Sequence, residues 1–198
     1  MVAAVACGGG PPEPPPAPEP DPDSIAREQA RRDSIAREQA REDSVRRVQE
    51  LEEQRIRRER EEAAAREAAI TAEVRSMVQA VINFDFDKSN IRPGVDTEVL
   101  EQKLSILQVN PALMIEITGH CDERGSDEYN MALGNRRALS ARRWLTDRGI
   151  AENRITVRSM GEEQPVDPGH NEEAWAKNRR DAFAITAGGA RLVKPAGM

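Results

Sequence analysis

The chain of 198 residues is expected to fold as an α/β two-layer sandwich preceded by a Pro-rich tether and a long charged α-helix. Three observations lead there. Short β-prone stretches alternate with amphipathic helical ones in the second half, the pattern of a sheet covered by helices. All six aromatic residues (Phe84, Phe86, Tyr129, Trp144, Trp175, Phe183) lie beyond position 83. Eight of the 13 prolines crowd between Pro11 and Pro22, while no proline occurs from Asp23 to Arg92 and no glycine between Gly10 and Gly94. The first eighty residues therefore cannot build an aromatic-anchored core, and the folded domain must follow them.

The opening Met1 to Gly10, with small and aliphatic residues before Cys7, resembles the end of a bacterial lipoprotein signal whose cysteine is lipidated; the basic start and most of the apolar stretch are missing. Either the start lies further upstream or the cysteine is incidental, the alternative being an unprocessed N-terminus. Residues 8 to 22 read as an extended polyproline-II-like linker. A ten-residue repeat then begins at Asp23 (Asp-Ser-Ile-Ala-Arg-Glu-Gln-Ala-Arg-Arg), recurs at Asp33 and decays from Asp43. Ala, Arg, Glu and Gln favour helix, and acid-before-base pairs such as Asp23/Arg27, Asp33/Arg37 and Glu62/Arg66 fall at i,i+4. A helix over 23–79 would reach roughly 85 Å at ~1.5 Å per residue. A ten-residue step turns Ile25, Ile35 and Val45 by about −80° per repeat, so they make no heptad seam. A solvated single helix is favoured over a weak coiled coil or partial disorder.

From residue 80 the expected order is strand (80–86), helix (93–109), strand (113–118), helix (129–148), strand (154–160), short helix (171–178) and strand (181–186). Asn110-Pro111 and Gly149 stop the two long helices. The folded domain is set at 80–187, with 188–198 a flexible tail.

Charge and composition exclude several classes. A net charge of −6 argues against nucleic acid as a partner. No run of about 18 apolar residues could span a bilayer. Two cysteines are too few for a disulfide scaffold, and for a four-ligand zinc site unless the two histidines join them; His120, Cys121, Asp122 and Glu123 alternate between faces, so neither a metal site nor a Cys–His nucleophile is expected. No cofactor is implied.

The segment Gly119-His-Cys-Asp-Glu-Arg-Gly125 leaves the second strand, followed by Tyr129-Asn130 and Leu133-Gly-Asn-Arg-Arg137-Ala138 on the next helix. Asp122 could neutralise an ammonium and Arg137 could take a carboxylate in a bidentate fork, a pair suited to a zwitterionic amino-acid group. The alternative is a plain Asp122–Arg137 salt bridge. The arginines 136, 142, 143, 148, 154 and 158 read as a solvated face or as an attraction for anionic polymer, Trp144 as core, and residues 178–180 as support for the pocket.

With Phe84-Asp-Phe-Asp-Lys88, Gly161-Glu-Glu-Gln-Pro165 and Gly169 to Arg180 added, the chain from about 82 to 186 resembles the OmpA-like peptidoglycan-binding domain family, and within it the peptidoglycan-associated lipoproteins of the Tol-Pal system. The resemblance implies non-covalent binding of peptidoglycan through meso-diaminopimelate, with Asp122 on its ammonium, Arg137 on its carboxylate, Leu133 walling the pocket and Asp87 at its rim. It further implies an outer-membrane lipoprotein lipidated at Cys7 and facing the periplasm, with a Tol-system propeller protein as partner. Cys121 stands where that family has threonine or alanine, an oxidisable thiol. The long helix is a second departure, and it leaves open a helical envelope scaffold or oligomerising adaptor for which wall binding is placement. With no activated nucleophile, metal triad or isolated carboxylate pair, an enzyme is not expected.

Overall fold

The computed structural model describes residues 21–197, so Cys7 and most of the Pro-rich linker lie outside the described residues. Helix α1 runs Pro22–Gln79, and the chain divides into two compact units after Arg58. In the first unit the described residues are exposed, and Ile25, Ile35 and Val45 stand 45–56% open to solvent. Ion pairs one turn apart, Glu28–Arg32 and Glu52–Arg55, lie along this helix. Such exposed pairs each add only a few tenths of a kcal/mol, so helix-forming composition must do most of the work.

The second unit holds β1 (Ile82–Asn83), α2 (Val95–Val109), β2 (Met114–His120), α3 (Asp127–Thr146), β3 (Ile155–Gly161), α4 (Glu172–Asn178) and β4 (Arg180–Ala187). The sheet order is β1-β4-β2-β3, with β2 parallel to β3 and β4 antiparallel to both β1 and β2. Ile115 and Ile117 of β2 and Phe183 of β4 face a core shared with Leu100, Ile106 and Leu107 of α2 and Ala138, Ala141 and Leu145 of α3. Alternate residues of the sheet, Glu116 and Thr118 among them, stay partly exposed on the other face, so the sandwich has two layers.

β1 is shorter than the seven residues expected. It is an edge strand paired only with β4, and beyond it the Lys88 N–H donates to Asp85 O, turning the chain at Asp87 with φ 56°. Aspartate tolerates this left-handed region better than most residues.

Both ends of the expected domain move outward. Val74 and Val78 of α1 are fully buried in the core, because the last turns of the helix present an apolar stripe. The expected loose tail is also packed near its start: Leu192 is 3% exposed, its N–H donates to Thr71 Oγ1, and Val193 exchanges two hydrogen bonds with the Asn110 side chain.

Helix α3 crosses β2 at backbone contact. A Cβ on Gly119 would lie 1.9 Å from the Gly134 carbonyl oxygen, and one on Gly134 would lie 2.4 Å from Ser159 Oγ. Only glycine at both positions permits this approach.

Candidate functional site

That crossing positions the site. Leu133 and Arg137 flank Gly134 on the same face of α3, and the helix is aimed by an N-cap in which Ser126 Oγ accepts from the Tyr129 N–H at 3.3 Å. β2 ends at His120, and the Cys121 N–H is then held by Gly161 O at 2.7 Å. The loop 121–126 turns through Gly125 at φ 126° to reach the cap.

Asp87, Asp122, Leu133 and Arg137 line one cavity of about 220 Å³, together with Phe86, Cys121, Arg124, Tyr129, Asn130 and Arg179. Asp87 sits at the mouth, where the Tyr129 hydroxyl donates to its carboxylate. Leu133 is 5% exposed and supplies an apolar wall.

Arg137 is fully buried, yet no carboxylate among the described residues pairs with it. Its Nε donates to Lys88 O at 2.9 Å, Nη1 to His120 O at 2.7 Å and Cys121 Sγ at 3.4 Å, and Nη2 to Asp85 O at 3.2 Å. Four of its five N–H groups are thereby used. The open bidentate fork expected from the sequence is not present; one Nη2 hydrogen remains. Burial pulls its pKa down, but a guanidinium stays charged in proteins, so it brings to the cavity lining a positive charge that no carboxylate bonds directly.

Asp122 does not close on Arg137 either. Its Oδ1 accepts from the Arg124 N–H at 3.2 Å and Nε at 3.3 Å, and its Oδ2 from Arg124 Nη2 at 2.7 Å and Arg179 Nη1 at 3.1 Å. Burial pushes this carboxyl up, but the hydrogen bonds from Arg124 and Arg179 outweigh it and hold it below the usual range. Asp122 is therefore an anion at neutral pH. Arg179, assigned to support, bridges Asp122 to Phe84 O and to Glu172 and also lines the cavity.

Arg124 was not singled out from the sequence. Its guanidinium lies 3.9 Å from the Phe86 ring centroid and 4.2 Å from that of Trp175, with Glu172 at 3.5 Å. The signal available was its place two residues after Asp122 in a tight loop. Its aromatic clamp brings in Phe86 from 38 positions before it and Trp175 from 51 positions after it, which no local pattern reveals.

Neighbouring groups explain the remaining residues. Cys121 is buried, its thiol donates to Asn130 O at 3.3 Å, and burial pushes its pKa up to about 11. The oxidisable thiol expected from the sequence is thus shielded in the folded domain. His120 points to the opposite face beside Arg158 and Arg180, and burial lowers its pKa to about 4. His170, which had no evident partner in the sequence, pairs with Glu123 at 2.7 Å, and Trp175 Nε1 donates to the same carboxylate at 2.8 Å. Asp181 is fully buried with neither carboxyl oxygen partnered among the described residues; burial raises its pKa well above the usual range, Arg137 opposing.

The OmpA family profile matches residues 83–179. A peptidoglycan-associated lipoprotein of Pasteurella multocida is 40% identical over 103 residues, covering 52% of this chain and 68% of that protein. One of Brucella melitensis is 41% identical over 108 residues, covering 54% of this chain and 64% of that protein. The crystal structure of the peptidoglycan-associated lipoprotein from Burkholderia pseudomallei superposes with a TM-score of 0.52 at 38% identity, covering 53% of this chain and 88% of that one. The chain belongs to the OmpA family, among the peptidoglycan-associated lipoproteins.

Proposed function

We propose that the folded domain binds peptidoglycan without covalent chemistry, gripping the zwitterionic end of meso-diaminopimelate in the stem peptide. One observation carries this: an ionised carboxylate and a charged guanidinium share a small cavity, and each is held by other partners instead of by the other. Asp122 faces the ammonium, and the remaining Arg137 N–H together with the charge behind it faces the carboxylate. Leu133 packs the methylene stem and Asp87 with Tyr129 closes the rim. The names of the relatives support wall binding and anchorage, and by the same kinship Cys7 carries a lipid anchor in the outer membrane, on its periplasmic side. Docking to a Tol-system propeller protein belongs to this reading too, as does the role of residues 8–58 as spacer.

The test is a pull-down of the full chain on isolated sacculi, comparing wild type, Asp122→Ala and Arg137→Lys on diaminopimelate-type wall with lysine-type wall as control. The full chain is needed because Val74 and Val78 belong to the core. Arg137→Lys is preferred to alanine, which would strip three backbone carbonyls of their donor. Binding lost in both variants and absent on the lysine-type wall is expected. Equal retention by all three folded proteins refutes the assignment.

A further inference from the structure

The Asp122 carboxylate is already saturated. A carboxylate offers about four acceptor positions, and here two donors reach each oxygen: the Arg124 N–H and Nε on Oδ1, and Arg124 Nη2 and Arg179 Nη1 on Oδ2. A ligand ammonium with three donors can enter only if one of these leaves. Arg179 is poorly placed to go, with a side chain 7% exposed and Nε bonded to Phe84 O at 3.0 Å. The Arg124 side chain is 30% exposed, sits on the loop that borders the cavity, and supplies both side-chain bonds that an ammonium would replace.

It also has somewhere to go. Its guanidinium lies over the rings of both Phe86 and Trp175, and its Nη1 already reaches Glu172 Oε2 at 3.5 Å, the other Glu172 oxygen being held by Arg179 Nη2 at 2.7 Å. Sliding along the two rings keeps the cation–π contacts while Asp122 is released and Glu172 is retained.

We propose that Arg124 is a resident cation that occupies the ammonium position on Asp122 in the empty cavity and is exchanged for the ligand's ammonium, giving up Asp122 while keeping its pair with Glu172 within the Phe86–Trp175 clamp. This rests on the zwitterion reading above and adds its gate. The exchange leaves the number of ion pairs unchanged, so it keeps Asp122 neutralised when the cavity is empty and sets a threshold that lone amines do not cross without the carboxylate contact at Arg137. A cavity that needs an amino group and a carboxylate together is selective for the zwitterion.

Calorimetric titration of the full chain with a soluble diaminopimelate-containing muropeptide tests this, using wild type, Asp122→Ala, Arg124→Gln and Arg124→Met, each shown folded by its thermal melt. Losing a competing charge-assisted pair should tighten binding in both Arg124 variants by roughly tenfold. They should also begin to bind the lysine-containing muropeptide, which wild type rejects. Weaker binding by the Arg124 variants, with Asp122→Ala inactive, overturns the gate and leaves the clamp standing. Equal binding by wild type and Asp122→Ala, or none by any of the four proteins, removes the clamp and the gate with it.

Discussion

Lys103 makes the fold pH-dependent in a direction that can be worked out from its surroundings. Its side chain is fully buried in α2, with Nζ donating to Met77 O at 3.0 Å and Val78 O at 2.7 Å and lying 4.2 Å from the Phe183 ring centroid. Those carbonyls belong to the last turn of α1, where backbone acceptors have no partner in the helix itself. Burial lowers the Lys103 pKa to about 7 from its ordinary 10.5. Between these values the unfolded chain holds the proton and the folded chain has released it, so unfolding takes up a proton and stability rises with pH. Below about 7 both states are protonated and this contribution to the slope vanishes. The slope is at most about 1.4 kcal/mol per pH unit, and the whole window is worth at most about 5 kcal/mol. The two carbonyls and the Phe183 ring favour the charged form and reduce it. Urea unfolding followed by fluorescence of Trp144 and Trp175, from about pH 6 to pH 10, should show wild type gaining stability relative to Lys103→Met as pH rises. Parallel curves for the two proteins would refute the reasoning.

Two further perturbations probe packing. Gly119→Ala places a methyl against the Gly134 carbonyl at 1.9 Å; it should cost roughly 3 kcal/mol or more, and a thermal midpoint within about 2 °C of wild type would show that α3 can lift off β2 cheaply. Leu192→Ala empties a site that is 3% exposed and should cost about 2–4 kcal/mol in urea, whereas a loose tail would give a change within about 0.5 kcal/mol.

Much of the domain is legible in the sequence because its signals are local. Apolar periodicity marks α2, β2 and α3, and Asn110-Pro111 and Gly149 mark where helices stop. α3 begins two residues before the expected start because Ser126 caps it, a signal that was present in the order Ser-Asp-Glu-Tyr but not used. The meeting of Asp122 and Arg137 in one cavity could be expected from their motif, since the end of β2 and the third turn of α3 meet where that helix crosses the strand.

Partner choice was not legible. A carboxylate and a guanidinium of this spacing could have bonded each other, and whether they do depends on which other groups arrive first. The backbone carbonyls of Asp85, Lys88 and His120 claim Arg137, while Arg124 and Arg179 claim Asp122. Arg179 comes from 57 residues away by way of the antiparallel pairing of β4. The same holds for Leu192, whose burial depends on the end of α1 being present to receive it. The order of the elements, the solvated character of the first helix up to Arg58 and the residues able to carry charge follow from neighbours within a few positions, so they could be read along the chain. Which charges stand apart and which are spent is settled by long-range packing, because that is what brings competing donors and acceptors within hydrogen-bond reach.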